Sequence, residues 1–236
     1  MSWIPPRSYA PEIMDRTDND REALEGALRS IRRVNRWLGG QTALRDALRQ
    51  RWADAKGKTI RLLDIGTGEA DLPIAALEWA RRDGIDLEVV AVELDPITAA
   101  IARDAVRDYA QIEVIRADAF ELPFADNSFD FVTASMFLHH FHELEVVRLL
   151  HRFAQVASRA VIVNDLRRHR LPYAFIRTLC TLLRPHPMFV HDAPLSVLRG
   201  FTDEELAWAA HQCTTAPAHL ERRWPFRLVL TLETGS

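Results

Sequence analysis

Between residues 62 and 71 the chain reads Leu-Leu-Asp-Ile-Gly-Thr-Gly-Glu-Ala-Asp, an apolar run entering a glycine turn that carries carboxylates instead of bases. Gly66 and Gly68 let the backbone turn sharply and come close to a ligand, as in dinucleotide-binding folds. The third glycine of such a loop is missing, and Asp71 stands in its place. A pyrophosphate at the N-terminus of the following helix would be crowded by Asp64, Glu69 and Asp71. Two unit charges ~4 Å apart near a protein surface interact by about 4 kcal/mol, so an anion is disfavoured and a cation is suited. S-adenosylmethionine, with an ammonium and a sulfonium against one carboxylate, matches that loop better than a nicotinamide dinucleotide does.

A second carboxylate with a defined task ends the run Leu87-Glu88-Val89-Val90-Ala91-Val92-Glu93. A strand-terminal Glu93 can accept both hydroxyls of a ribose at once. Asp95, its rival, precedes Pro96 and is better placed to cap a helix. Farther on, Ser135-Met136-Phe137-Leu138-His139-His140-Phe141-His142 gathers three histidines, and imidazole titrates near neutrality and can serve as a base. His139 and His140 are the candidates, since His142 is read as the start of a helix. Asn164-Asp165-Leu166-Arg167-Arg168-His169-Arg170 offers Asp165 as an alternative base or acceptor contact, and its cations read as solvated loop charges rather than a grip on an acidic acceptor. His191-Asp192 is a weaker base-and-orienter pair. No histidine shows a carboxylate at metal spacing, so no metal site is expected.

These residues need a scaffold that brings strand ends together. From Thr59 short apolar runs alternate with longer helical patterns, giving strands near 60–65, 87–93, 112–116, 129–135 and 159–164 joined by helices, hence a parallel sheet. His219–Arg223 and Arg227–Leu232 around Trp224-Pro225 read as a closing hairpin, an antiparallel end on a parallel sheet. The expected fold is α/β, a Rossmann-like doubly wound, seven-stranded, mostly parallel sheet with an antiparallel last strand. Asp18–Asn19 is expected to cap a helix running to about Leu38, ended by Gly39-Gly40, and a second helix runs to about Ala55. Asp71 is a candidate cap after the glycine turn, and Thr202 with Glu205 forms a capping box. The segment from Leu171 to Arg199, apolar and poor in charge, is expected to contain a helix that packs in the core or lines an apolar pocket. The organisation is thus a helical leader at 1–57, a possible lid, followed by one domain at 58–236 with an insertion at about 168–200.

The loop at 62–71, the acidic strand end at 93 and the Asp118 segment together resemble class I S-adenosylmethionine-dependent methyltransferases, over roughly residues 59–165. The resemblance implies that Asp64, before Gly66 and Gly68, orients the methionine portion of the cofactor, and that Leu94 packs on the adenine. It implies that Asp118 takes the adenine amino proton while the backbone of Ala119 meets a ring nitrogen. Leu122-Pro123-Phe124-Ala125-Asp126-Asn127-Ser128-Phe129-Asp130 is also typical of the family. Residues leaving the fourth strand, from Ser135 onward, face the sulfonium in this fold. The implied activity is methyl transfer to a small, apolar or aromatic acceptor, with oxygen slightly preferred. A carbon methyltransferase of quinone-like substrates and a cofactor-binding regulator without catalysis are the alternatives.

Composition narrows the partners. A formal charge of -3 and a pI near 6.3 give no global basic field, so nucleic acid is not an expected partner. Nor does the chain show, after its fourth strand, the Asn or Asp followed by two prolines and an aromatic that the flipped base of a nucleic-acid methyltransferase would need. Two cysteines, Cys180 and Cys213, are too few for a disulfide framework. The N-terminus lacks the apolar core of a secretion signal and no run approaches ~20 apolar residues, so a cytoplasmic protein without stable membrane association is expected. The oligomeric state is left open by the sequence.

Overall fold

Seven strands in the order β3-β2-β1-β4-β5-β7-β6 form a single sheet in the computed structural model, which describes residues 4–16, 18–213 and 217–235. The strands are β1 (Thr59–Ile65), β2 (Asp86–Glu93), β3 (Ile112–Arg116), β4 (Phe129–Ser135), β5 (Ala157–Leu166), β6 (Ala218–Arg223) and β7 (Arg227–Glu233). The first five are mutually parallel, and β7 runs antiparallel between β5 and β6. Chain order reverses between β1 and β4, and the crevice beyond the carboxyl ends of these strands is where open α/β sheets bind ligands.

Strands β1, β4 and β5 are apolar on both faces because helices cover both. Helices α2 (Gly40–Trp52), α3 (Asp71–Asp83) and α4 (Pro96–Val106) cover one face, and α5 (Glu143–Val156) and α8 (Asp203–Cys213) cover the other. Leu63, Phe131 and Val132 are fully buried between them, and each such side chain contributes roughly 1.5–3 kcal/mol through removal from water. Trp52 of α2 is buried in the same cluster as Leu77 of α3, so the second leader helix is part of the sheet's own covering layer.

A third group of helices sits over the carboxyl edge: α1 (Arg21–Trp37) with α6 (Arg170–Leu183) and α7 (Pro187–Arg199). Ile31 and Val34 of α1 pack on Ile176, Phe189 and Val197 of the latter two. The insertion therefore holds two helices where one was expected. The break lies at Arg184, in a left-handed conformation, followed by Pro185 and by Pro187 in the first turn of α7.

Two caps also differ from expectation. The cap of α1 is Asp20, whose side chain accepts the Ala23 N–H, while Asp18 pairs with Arg16 and Asn19 donates to the Ile13 carbonyl. Asp71 is the first residue of α3 rather than its cap, because Ala70 turns left-handed before it and leaves the Asp71 carboxylate to accept from Gln41. Asp95 caps α4 through Thr98 N–H, and Thr202 with Glu205 closes a reciprocal box on α8.

Candidate active site

A cavity of about 660 Å³ opens above the carboxyl ends of β1, β2 and β4 and is roofed by α1, α6 and α7. Its floor is the loop after β1. Gly66 and Gly68 adopt φ values of +65° and +58°, and a Cβ at Gly66 would lie 2.3 Å from the ring of Phe137. Only glycine meets both demands, so the loop packs tightly and leaves its upper side to a ligand.

Glu93, at the end of β2, lines this cavity and accepts backbone N–H groups from Gly68 (3.1 Å), Leu94 (2.9 Å) and Asp95 (3.2 Å). Burial pushes its carboxyl up, and these three donors hold it partly back. Glu69 and Asp71 line the same half of the cavity and are likewise raised by burial. Glu69 Oε1 is buried without a hydrogen-bond donor, and Arg32 Nε, 3.2 Å away, supplies charge without an aligned bond. Four carboxylates, Glu69, Asp71, Glu93 and Asp95, against Arg32 and Arg116 leave this part acidic and suited to a cation carrying hydroxyls.

Leu94 and Ser135 also line the cavity, whereas three sequence-selected residues stand outside its wall. Asp64 is buried beneath the loop, where its Oδ1 accepts from the Thr133 hydroxyl at 2.8 Å and burial pushes its carboxyl up to about 7. Asp118 makes a turn by accepting the Phe120 N–H, and Ala119 is buried in the core behind it. Arg116, two residues earlier, is in the wall instead.

The two selected histidines line the cavity, and Asp165 lies buried behind His139. Asp165, fully buried near the end of β5, accepts His139 Nδ1–H at 2.7 Å, His139 N–H at 3.2 Å and Leu166 N–H at 2.7 Å. Burial pushes the Asp165 carboxyl up, but the charge and hydrogen bonds of His139 outweigh it and hold the group below the usual carboxylate range. An ionised Asp165 can only accept, so a hydrogen sits on His139 Nδ1, and Nε2 is the ring nitrogen on the far side, 3.7 Å from Glu12 Oε1. His139 lines the cavity despite being nearly inaccessible to bulk water.

His140 has different partners. Burial opposes its protonation, but the hydrogen bond to Asp15 (3.1 Å) and the negative charges of Glu12 and Asp15 win and raise its pKa. Its ring lies tilted beside that of its neighbour, with centroids 4.3 Å apart.

Glu12 and Asp15 were missed from sequence and come from the leader. Ile13 N–H and Met14 N–H donate to Asp192, and Glu12 accepts from the Ser196 hydroxyl, which pins the leader to α7. Asp192 thus tethers the roof, and its neighbour His191, bonded to it at 2.7 Å, is not in the cavity wall. Glu12, His139 and His140 bring one ligand atom each within 4.8 Å of one another, which would be a metal-ligand set. Arg199 already occupies the electrostatic place of a cation there, with Nε 3.9 Å from Glu12 and Nη1 3.6 Å from Asp15. Each member also has a hydrogen-bond partner outside the group: Asp165 for His139, Asp15 for His140 and Ser196 for Glu12.

Two of the arginines after β5 are structural rather than solvated. Arg168 is buried, pairs with Glu205, and donates to the carbonyls of Pro5 (2.9 Å) and Gly200 (2.6 Å), and Arg167 pairs with Asp203 at 3.3 Å. Neither lines the cavity.

Residues 63–162 match the family model described as "Methyltransferase domain". A demethylmenaquinone methyltransferase of Bacillus velezensis is 34% identical over 107 residues, covering 44% of this chain and 45% of that protein. A ubiquinone/menaquinone biosynthesis C-methyltransferase UbiE of Idiomarina loihiensis is 31% identical over 109 residues, covering 44% and 42%. The chain thus matches under half the length of either relative. Among solved structures, a putative S-adenosyl-L-methionine-dependent methyltransferase of Methanococcus maripaludis superimposes with a TM-score of 0.70 over 97% of both chains at 10% identity. Residues 63–162 thus match a methyltransferase domain, set on a Rossmann-like sheet with a glycine loop, and the cofactor that such a domain implies is S-adenosylmethionine.

The residues present fit that group: carboxylates for its ammonium and ribose, a glycine loop for close approach, and an orphaned Glu69 oxygen in the wall. Because burial raises Glu69, Asp71, Glu93 and Asp64, the last to about 7, a bound cation favours their ionised forms. Asp64, with its carboxyl near 7, then releases its proton on binding, so affinity must rise as pH climbs through that value. Titration with S-adenosylhomocysteine between pH 6 and 8 is expected to show a dissociation constant that falls steadily with pH; a flat or opposite trend contradicts this electrostatic reading.

Proposed function

We propose that the protein transfers the methyl group of S-adenosylmethionine to a small, largely apolar acceptor whose hydroxyl is deprotonated by His139. The observation that carries this reading is His139 in the wall of the same cavity as Glu93 and the glycine loop, with Asp165 buried behind it at 2.7 Å. The bound cofactor supplies a methyl carbon already activated by its sulfonium. The chain's own residues bind, align and desolvate. Glu93 holds the ribose. Phe175, Ile176, Phe189, Val197 and Phe226 form an apolar wall for the acceptor and exclude water. Nε2 of His139 takes the acceptor proton, and Asp165 keeps the ring in the tautomer that can do so and stabilises the imidazolium that results.

Methylation at oxygen follows directly from that proton transfer. Methylation at carbon is the second reading, favoured by the printed name of the relative from Idiomarina loihiensis. A phenolate formed at His139 also places negative charge on its ring carbons, so the same base serves both. In this proposal the leader at 1–57 closes the cavity over the domain at 58–236, and the acceptor is a small molecule rather than a nucleic acid. Incubation with a panel of phenols, quinols and carboxylates and methyl-labelled cofactor, followed by mass spectrometry of the products, tests the reading and separates oxygen from carbon. Absence of transfer to every member favours a cofactor-binding regulator.

Because Arg199 supplies the positive charge beside Glu12 and Asp15, chelation is expected to leave turnover unchanged. An EDTA-sensitive rate restored by a divalent ion would assign Glu12, His139 and His140 to a metal instead.

A further inference from the structure

Helix α6 carries more apolar surface than the protein buries. Pro172, Ile176 and Cys180 face the interior, while Leu171, Phe175 and Leu182, at i, i+4 and i+11, form a second stripe that is exposed, Leu182 at 74%. The stripe continues through Phe226, whose ring centroid is 5.8 Å from Phe175, to Trp224, 5.8 Å from Phe226 and 84% exposed. Phe175 and Phe226 also line the cavity, so this patch is the cavity's rim. Contiguous exposed apolar surface of this kind marks an interaction site.

Charge identifies the partner. Between Asp165 and Asp192 there is no acidic residue, although the chain as a whole carries a net charge of -3. Arg170, Arg177 and Arg184 are exposed and form no ion pair among the described residues. A two-fold pairing with a second copy would bring these arginines against one another with no acid in the patch to offset them. An anionic lipid surface complements them, with tryptophan at the headgroup level and leucine and phenylalanine just below it. No helix described here is long and apolar enough to cross a membrane, so contact takes the form of adsorption.

We infer that this rim is a reversible docking surface for an anionic lipid bilayer, with the mouth of the cavity turned toward the lipid. Docking does not depend on the methyl-transfer reading, and it would bring an apolar acceptor to the cavity directly from the bilayer. The test is sedimentation of the full chain with vesicles of phosphatidylcholine alone or mixed with phosphatidylglycerol. Binding to the mixed vesicles only, weakened by salt, is expected. Arg177→Gln with Arg184→Gln should weaken it roughly twentyfold, and Leu182→Ser with Leu183→Ser at least about tenfold, with the affinity for S-adenosylhomocysteine and the melting temperature unchanged. No sedimentation of the wild type, equal binding to both vesicles, or variants that bind like wild type overturns the proposal. So does a concentration-dependent dimer that the same substitutions dissolve, which assigns the patch to a second copy.

Discussion

Replacing His139 by alanine is expected to lower kcat by about 10²–10⁴, the range over which a positioned base contributes, while the dissociation constant for S-adenosylhomocysteine stays within a factor of about three. The two readouts separate because His139 follows β4, whereas Glu93 and the glycine loop stand at the ends of β2 and β1. Asp165→Asn is expected to act through His139: it removes the acceptor that fixes Nδ1–H, so the imidazole no longer presents Nε2 as a lone pair. Its signature is a changed pH profile of kcat, with the acidic limb, on which the base becomes protonated, displaced or lost, and not only a lower rate. His140→Gln gives the contrast, because Asp15 and Glu12 favour the protonated form of His140, which is not the base in this account. Full turnover in His139→Ala, with a product formed at a hydroxyl or its ring, removes the base assignment and leaves alignment alone as the source of rate.

The second large effect is expected at Glu93. Its carboxylate is the one group at the end of β2 able to accept two ribose hydroxyls, and each hydrogen bond to a charged acceptor contributes about 1.5–3 kcal/mol. Glu93→Ala should therefore raise the dissociation constant for S-adenosylhomocysteine by roughly 10²–10³. Since Glu93 also accepts the Gly68 N–H, loss of loop order could mimic this result. Glu93→Gln keeps the shape and one acceptor oxygen, so an intermediate loss at unchanged melting temperature is expected, and calorimetry reports both. An affinity within threefold of wild type in Glu93→Ala refutes the ribose assignment.

The parts legible in the sequence are those decided locally. Strands β1, β2, β3 and β4 stand where apolar, β-branched runs are bounded by turn residues, and the carboxylate of Glu93 falls at a strand end because the run of Leu87–Val92 stops there. Asp95 with Pro96 and Thr202 with Glu205 are caps whose whole chemistry lies within four residues. Asp165 and His139, named separately from sequence, meet because adjacent parallel strands β4 and β5 end side by side.

What was hidden depends on pairings far apart in the chain. Glu12 and Asp15 reach His139 and His140 only because the leader crosses the carboxyl edge and is held by Asp192 and Arg199, more than a hundred residues away. Arg168 looked like a solvated charge because nothing near it announces Glu205 as its partner. Asp64 was read as a cofactor contact from its place before the glycines, but β1 turns its side chain inward to Thr133 of the neighbouring strand. The break between α6 and α7 had a local signal in Pro185 and Pro187, which an even apolar pattern on either side concealed.

The most direct test of the account is calorimetric titration of the purified wild-type chain with S-adenosylmethionine, with S-adenosylhomocysteine and, for contrast, with NAD. The carboxylate-lined loop predicts saturable binding of the first two at one site per chain and none of the dinucleotide. Binding of NAD without binding of either methyl-donor species would contradict it.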